Sequence, residues 1–231
     1  MLIYTKGILN HWEMKKSKTH YDSTYFNKFQ KKVGELGGKM NKFKFNKHIK
    51  ETDTVLDFGC GGGFLLNNLV CKKKIGIEVN DFARNYCIDE FGIECFISLD
   101  EIENNSIDVV ISNHCLEHCS NPDNILSELF NKLKTEGKII ICVPLDSRKL
   151  SYKKNDINFH LYSFSPMNLG NLLINNGFEV LLSKTLYHKW PPKVYLLSRI
   201  IGTKALNSIS YLYGRVNFRS TQTIAFGLKP N

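Results

Sequence analysis

Several common features are absent from this chain of 231 residues. No run of about 18 apolar residues occurs, so no membrane-spanning helix is predicted. The N-terminal stretch Met1–Lys6 lacks the apolar core of a signal peptide, and the seven cysteines form no C-x-x-C pair. An odd number of unpaired cysteines is typical of reduced thiols in an intracellular protein. We therefore expect a cytoplasmic protein with reduced cysteines.

Acidic residues are missing from the whole segment after Glu179. Residues 180–231 contain eight Lys or Arg and no Asp or Glu, and residues 1–50 contain 12 basic and 3 acidic residues. The region between them contains 11 basic and 19 acidic residues. An acidic centre thus has two basic flanks. Solvated surface lysines account for part of this excess. Functionally, the pattern indicates an anionic partner, which is a phosphorylated small molecule, a nucleic acid or a membrane surface.

A glycine-rich turn is the most informative segment of the chain. The apolar strand that begins the run 55–63 contains the acid Asp57, and the turn after it contains Gly59, Gly61 and Gly63. Glycine lets the backbone approach a ligand where a Cβ atom would collide with it. A strand, a glycine turn and a helix in this order are typical of nucleotide-cofactor sites.

The spacing of this turn differs from the dinucleotide fingerprint G-x-G-x-x-G, whose third glycine would fall at Phe64. The pattern here is G-x-G-x-G, with Asp57 two residues before the first glycine. A carboxylate at that place favours a ligand with ammonium and sulfonium groups over a pyrophosphate. A second acid, Glu78, ends the next apolar strand 21 residues later, where an acid can bind ribose hydroxyls.

With these motifs the chain resembles the class I S-adenosylmethionine (SAM)-dependent methyltransferases from about Thr54 to Val180. Four segments carry the resemblance in the family's order: 55–63, 75–79, 106–118 and 133–144. The resemblance implies SAM as the cofactor, with these binding residues: Asp57, Gly59, Cys60, Gly61, Gly63, Glu78, Val79, Asp100, Ser112 and Asn113. Family members often place an acid after the third strand against the adenine amino group. Here Leu99 intervenes before Asp100.

Alternating strand and helix patterns predict an α/β fold with a doubly wound, mostly parallel seven-stranded sheet, the Rossmann-like methyltransferase fold. The predicted strands are 54–58, 74–79, 94–98, 107–112, 138–144, 178–182 and 221–228. Helical spacing predicts a helix over 23–36 that ends at Gly37-Gly38, and a second helix over 40–49. Residues 1–50 would form a helical N-terminal cap, and residues 51–231 the methyltransferase domain. A C-terminal insertion, 184–220, would form a substrate wall.

His114 and His160 are the candidate catalytic residues, because an imidazole can take a hydroxyl proton near neutral pH. His114 follows the fourth strand, and His160 lies in the linker 146–164 after the fifth strand. We expect a structural role for His118. The pattern H-x-x-E-H from His114 to His118 also matches a zinc motif. That motif needs both histidines on one helix, whereas His114 ends a strand, so we expect no metal.

The segment 112–115 lacks the Asn/Asp-Pro-Pro-aromatic loop of enzymes that methylate base amino groups, and a hydroxyl acceptor is therefore favoured. Three strings, 25–38, 156–166 and 190–192, resemble bacterial methyltransferases associated with surface-polysaccharide biosynthesis. That resemblance implies a sugar acceptor, anionic or linked to a nucleotide or lipid. Two alternatives are an RNA methyltransferase that uses the basic flanks, for which no RNA-binding module is recognisable, and a non-catalytic SAM-binding protein.

The insertion 184–220 contains an amphipathic basic helix or helix pair, in which apolar residues alternate with Lys and Arg. Core packing or a homodimer face is the first interpretation. Peripheral contact with the inner membrane surface, which would suit a lipid-linked acceptor, is the second.

Overall fold

The computed structural model describes five parts of the chain: Phe26, 31–145, 151–152, 158–217 and 221–231. The first part of the helix predicted over 23–36 lies outside these described residues, apart from Phe26. The same holds for most of the residues between the fifth strand and position 158.

A seven-stranded sheet forms the centre of the protein. Its strands are β1 Thr54–Phe58, β2 Lys73–Ile77, β3 Glu94–Phe96, β4 Ile107–Asn113, β5 Leu133–Leu145, β6 Glu179–Leu186 and β7 Thr221–Leu228. The strand order is β3-β2-β1-β4-β5-β7-β6, and only β7 runs antiparallel to its neighbours β5 and β6. This topology confirms the expected mostly parallel α/β fold. One boundary differs, because β6 continues to Leu186 and so takes the first residues of the predicted insertion.

The helices are α1 Lys31–Asn41, α2 Phe64–Asn68, α3 Asp81–Phe91, α4 Pro122–Lys132, α5 Pro166–Asn175 and α6 Val194–Val216. Three of them start at side-chain caps that are visible in the sequence, namely Asn80, Asn121 and Ser165. Gly202, with φ of 72°, divides α6 into two helical segments. Within the described residues, none of these helices is both long and apolar enough to cross a membrane.

Both faces of the sheet are buried, as a parallel sheet with helices on each side requires. Along β1, Leu56 and Phe58 belong to one apolar cluster, whereas Val55 belongs to the other. Because side chains alternate along a strand, Asp57 points to the same face as Val55. Asp57 is thus a buried carboxyl group on a strand whose residues Val55, Leu56 and Phe58 belong to the apolar core. All seven cysteines are free thiols, and five of them are buried.

The N-terminal region differs from the prediction. Gly37 and Gly38 do not end a helix, because α1 continues to Asn41. Two 3₁₀ turns, Lys42–Lys44 and Asn46–His48, follow in place of the predicted second helix. The reason is packing, since a Cβ atom on Gly38 would meet the carbonyl group of Phe64. Gly38 therefore lets α1 lie close against α2.

Alanine at Gly38 tests this packing. We expect Gly38→Ala to lower the free energy of unfolding by about 1–3 kcal/mol, because the added methyl group has no space. Gly37→Ala is the matched control: its nearest neighbour would be 3.6 Å away, and alanine favours a helix by about 1 kcal/mol over glycine. Urea denaturation of both variants measures the difference. Equal stabilities would contradict the packing account.

Candidate functional site

The glycine turn lies at the carboxyl end of β1. Gly59, Gly61 and Gly63 have φ values of 78°, 55° and 76°, which are in the left-handed region. A Cβ atom on Gly59 would meet Cys115, and one on Gly63 would meet the thiol of Cys87. At Gly61 nothing lies within 4 Å of the Cβ position. The outer two glycines are thus needed for packing, whereas Gly61 faces open space.

Glu78, directly after β2, holds this turn in place. One of its carboxyl oxygens accepts the Gly61 N–H at 2.8 Å, and the other accepts the Asn80 N–H at 2.8 Å. Burial raises the pKa of the Glu78 carboxyl to about 7, although these two hydrogen bonds oppose the rise. The acid predicted from the second strand therefore contacts the turn directly.

Asp57 is the second buried acid, with only 2% of its surface exposed. Burial raises the pKa of its carboxyl to about 8, and the neighbouring Cys95 and Glu78 add to this rise. Among the described residues, no hydrogen-bond partner reaches its Oδ1 atom. A buried polar atom without a partner is costly. Asp57 therefore fits a site for a donor or cationic group of a ligand.

A cavity of about 470 Å³ opens beside the turn. One wall is α1, and the opposite wall consists of the turn, the end of β4, the 3₁₀ turn Leu116–His118 and the segment 158–160. Of the predicted site residues, these six line it: Gly59, Cys60, Gly61, Asn113, His114 and His160. The glycine turn, the end of β4 and the linker histidine His160 were all predicted from the sequence, and they meet at this cavity.

The other predicted cofactor residues are not among the residues that line this cavity. Asp57, Gly63 and Glu78 lie behind its wall. Ser112 is buried, and its hydroxyl donates to the Phe58 carbonyl at 3.0 Å, so it joins β4 to β1. Asp100 is exposed and accepts a hydrogen bond from the Ser98 hydroxyl at 3.0 Å.

Val79 is half-buried after β2 and is likewise not one of the lining residues.

A polar network around a buried lysine was missed from the sequence. Lys44 is 2% exposed, and its Nζ atom donates to Asn113 Oδ1 at 2.9 Å and to Gln222 Oε1 at 2.6 Å. Gln222 in turn donates to the His188 carbonyl at 2.9 Å. Burial lowers the pKa of the Lys44 ammonium group. Lys44 belongs to no motif, and its only signal is its place between the aromatic residues Phe43 and Phe45.

His114 lies beside this network, with its Nε2 atom 3.3 Å from Gln222 Oε1. Its φ of 58° is unusual for a non-glycine residue. The surrounding protein and the charge of Lys44 lower the pKa of its imidazole. The ring is therefore neutral near pH 7 and is a weak base. It shares no helix with His118, which belongs to the 3₁₀ turn Leu116–His118.

A second cavity, of about 410 Å³, adjoins the first. The two share the side chains of Val33, Asn41, Asn113 and His114. The remaining lining residues are Pro144, His188, Lys189, Trp190, Thr221 and Gln222. His114 therefore stands between two cavities at the carboxyl edge of the sheet, where ligands bind in open α/β folds.

The fold and the site together define an α/β enzyme with a glycine-turn cradle for a cofactor and an adjoining space for a second ligand. A family model for a methyltransferase domain matches residues 21–183. The chain belongs to this methyltransferase-domain family.

Among curated proteins, the chain is 31% identical over 102 residues to ribosomal protein L11 methyltransferase of Aquifex aeolicus (strain VF5). It is 30% identical over 105 residues to the uncharacterized methyltransferase C70.08c of Schizosaccharomyces pombe (strain 972 / ATCC 24843). The first match covers 39% of each chain and the second covers 40% of each chain. The matched region is thus less than half of these relatives.

Solved structures share the fold along most of the chain. A SAM dependent methyltransferase from Archaeoglobus fulgidus has a TM-score of 0.63 and 22% identity, and the match covers 89% of this chain and all of that one. Phosphoethanolamine N-methyltransferase 2 of Haemonchus contortus, in complex with S-adenosyl-L-methionine, has a TM-score of 0.58 and 14% identity, and the match covers 90% and 60%. These likenesses confirm the Rossmann-like methyltransferase fold.

The raised pKa of Asp57 predicts a pH-dependent stability. Between pH 3.8, the ordinary pKa of this group, and about 8, the folded protein keeps a proton that the unfolded chain has lost. The free energy of unfolding therefore falls as pH rises, by about 1.4 kcal/mol per pH unit for one group. We expect wild type to lose about 1.4 kcal/mol per pH unit, or roughly 3 kcal/mol in all, relative to Asp57→Asn between pH 5 and 7.5 in urea denaturation.

Asp108→Asn is the control for this measurement. Burial raises the pKa of Asp108, but hydrogen bonds from Lys134 and the Thr54 N–H outweigh that effect and lower it. Asp108 is therefore ionised in both states above pH 5, and its contribution stays constant over the range. A constant difference between wild type and Asp57→Asn would contradict the account of Asp57.

Proposed function

We propose that this protein is a SAM-dependent methyltransferase that O-methylates a sugar or another small hydroxyl compound. The observation that carries this proposal is the pair of adjoining cavities with His114 and Asn113 between them. One cavity has the glycine turn as its wall, and the other is lined by amide, aromatic and basic side chains. Transfer between two bound molecules requires such adjacent spaces.

S-adenosyl-L-methionine is the cofactor, and the residues at the turn fit it. Gly61 leaves room for close approach of the ligand, and Glu78 fixes the turn and places a carboxyl group where ribose hydroxyls bind. Asp57 lies beneath as a buried acid that favours the positive charge of the amino-acid part. When bound, the cofactor supplies an electrophilic methyl group. Asp100 and Val79 are not needed in this arrangement.

The second cavity is suited to an acceptor with several hydroxyl groups. Asn41 has an amide side chain, which both donates and accepts hydrogen bonds. The Trp190 ring offers a flat apolar face for the carbon skeleton of a sugar. Lys189 at the same cavity favours an anionic acceptor, such as a sugar linked to a phosphate or nucleotide.

Proton removal from the acceptor is assigned to His160 in this proposal. His160 lines the cofactor cavity on the side opposite α1, and its ring lies 5.0 Å from that of His118. His114 is the weaker candidate as a base because its pKa is lowered, and its neutral ring is suited to accept a hydrogen bond from the acceptor. Helix α1 helps to exclude water from the transfer site.

Trp190 tests the acceptor cavity. We expect a screen of nucleotide sugars and glycan intermediates with methyl-labelled SAM to give a methylated product. For that acceptor, Trp190→Ala should raise KM about tenfold or more, since the loss of a ring contact costs roughly 1.4 kcal/mol, whereas Trp190→Phe should retain most of the affinity. Calorimetry with S-adenosylhomocysteine should give the same Kd for all three proteins.

Other results of this screen would favour the alternatives. Methylation of RNA, with a binding affinity that falls steeply with salt, would contradict a small-molecule acceptor. Binding of S-adenosylhomocysteine without turnover on any acceptor would indicate a non-catalytic protein.

Helix α6 supports a peripheral membrane contact. Leu196, Ile200 and Leu212 are exposed on it, at 55%, 71% and 66%. These lie beside the exposed cations Lys193, Arg199, Lys204 and Arg215. Because exposed apolar side chains beside cations match an anionic lipid surface, we propose that α6 contacts the membrane that carries a lipid-linked acceptor.

Vesicle sedimentation measures this contact. We expect wild type to sediment with vesicles that contain phosphatidylglycerol, less so at high salt, and not with pure phosphatidylcholine vesicles. The double variant Leu196→Ser/Ile200→Ser should lose the binding. A control pair, Val70→Ser/Met167→Ser, removes two side chains that are equally exposed elsewhere. A dimer that dissociates in the α6 variant would show instead that this face joins two copies of the chain.

A further inference from the structure

A carboxylate and two imidazoles converge at one side of the cofactor cavity. Glu117 and His118 belong to the 3₁₀ turn Leu116–His118, and His160 approaches from the segment after β5. One ligand atom from each of the three side chains lies within 4.8 Å of the other two. The Glu117 side chain is completely buried, while His118 retains 20% exposure. All three line the cavity, so a bound ion would be reachable from it.

The backbone fixes this cluster from two directions. The N–H groups of Leu161 and Tyr162 both donate to the Glu117 carbonyl, at 2.9 and 3.1 Å. The Tyr162 hydroxyl donates to the Ser120 carbonyl at 3.0 Å. These three hydrogen bonds join the segment around His160 to the 3₁₀ turn and to Ser120 just after it. The convergence therefore results from defined contacts.

The histidine next to Glu117 is oriented in the way that metal ligands usually are. His118 Nδ1 lies 3.5 Å from the Phe159 carbonyl oxygen, so this nitrogen is directed to an acceptor. Its other nitrogen, Nε2, lies 3.6 Å from Glu117 Oε1. A ring that donates through Nδ1 presents the lone pair of Nε2, and a carbonyl partner of this kind is typical around metal-bound histidine. An imidazole nitrogen and a carboxylate oxygen at this distance can share one cation as ligands.

The geometry points to a divalent metal site formed by Glu117, His118 and His160. Two imidazoles and one carboxylate are the ligands of catalytic Zn²⁺ sites and of open Fe²⁺ sites, whereas Mg²⁺ prefers oxygen ligands alone. Ligand bonds of about 2.0–2.2 Å put the ligand atoms roughly 3–4 Å apart. The 3.6 Å between His118 Nε2 and Glu117 Oε1 already lies in this range. His160 is only half-buried and can adjust to complete the site.

This site deepens the proposed function, on which its catalytic role rests. Three protein ligands leave coordination positions open toward the cavity. An ion held there would bind a hydroxyl oxygen of the acceptor and lower the pKa of that hydroxyl, and the proton would pass to water in the cavity. With the ion bound, His160 would serve as a ligand, and the ion would take over from it in promoting the loss of the proton.

The sequence pattern H-x-x-E-H led to the expectation of no metal, because His114 ends a strand. The structure agrees that His114 and His118 share no helix. It provides a different third ligand, His160, which is 42 residues beyond His118 in the chain. The approach of His160 to Glu117 and His118 depends on the fold, so no short sequence motif contains all three residues.

Metal titration tests the site without reference to activity. We expect purified protein, freed of metal by chelation, to bind one equivalent of Zn²⁺ or Co²⁺ in calorimetry. His160→Ala and Glu117→Gln should weaken this binding at least tenfold. A second cluster, Cys60, Cys87 and Cys95, could bind the same ions, so Cys95→Ser is the matched control and should keep the equivalent. Co²⁺ spectra separate the two clusters, because thiolate ligands give strong near-ultraviolet charge-transfer bands.

Two results would overturn the metal site: binding that His160→Ala leaves unchanged, or cobalt bands that show thiolate ligands. S-adenosylhomocysteine binding to His160→Ala serves as the folding control. Cobalt binding with the expected ligand dependence, but without any S-adenosylhomocysteine binding, would refute the proposed function and leave the metal site. Cofactor binding with no metal binding would remove the metal site alone.

Discussion

Two buried carboxyl groups behind a glycine turn are the constraint on which the site depends. Asp57 and Glu78 come from neighbouring parallel strands and lie at the same carboxyl edge. Their burial raises both pKa values toward neutrality. Burial of a charge is costly unless a partner offsets it. A cationic ligand lowers the free-energy cost of ionising these buried carboxyl groups. A pyrophosphate is negatively charged and cannot do so, which distinguishes this turn from one that binds a dinucleotide.

The turn and the acids also depend on each other geometrically. Gly61 adopts its left-handed conformation at little cost because it has no side chain, and its N–H then reaches Glu78. The segment after the second strand is thereby connected to the turn after the first, beside the cavity that the turn lines. On the other side, Lys44 connects the N-terminal region to β4 through Asn113 and to β7 through Gln222. Both cavities are therefore held by contacts between segments distant in sequence.

Much of this arrangement could be predicted from the sequence, and the successes have a common cause. The bounds of β1 and β7 were predicted correctly because apolar patterning along a strand is a local signal. The turn residues were found because glycine adopts their left-handed backbone geometry at the least cost. Such features depend on only a few consecutive residues of the sequence.

The failures also share a cause, which is dependence on tertiary contacts. Gly37 and Gly38 are typical of a helix end, yet both lie inside α1, and Gly38 serves close packing against Phe64, which no local pattern shows. Lys44 looks like one surface lysine among many in a basic segment, although it is buried against β4 and β7. A residue whose role is set by a distant partner carries no signal in its own neighbourhood.

Backbone strain beside the cavities likewise shows that tertiary contacts override local preference. His114 and Phe159 both have φ values in the left-handed region, 58° and 50°, although neither is glycine. Each such residue costs roughly 1–3 kcal/mol and persists only where the surrounding structure over-determines it. His114 stands between the two cavities, and Phe159 directly precedes His160. The orientation of both imidazoles is thus imposed by the fold against local preference, as expected for groups that must meet a ligand in one geometry.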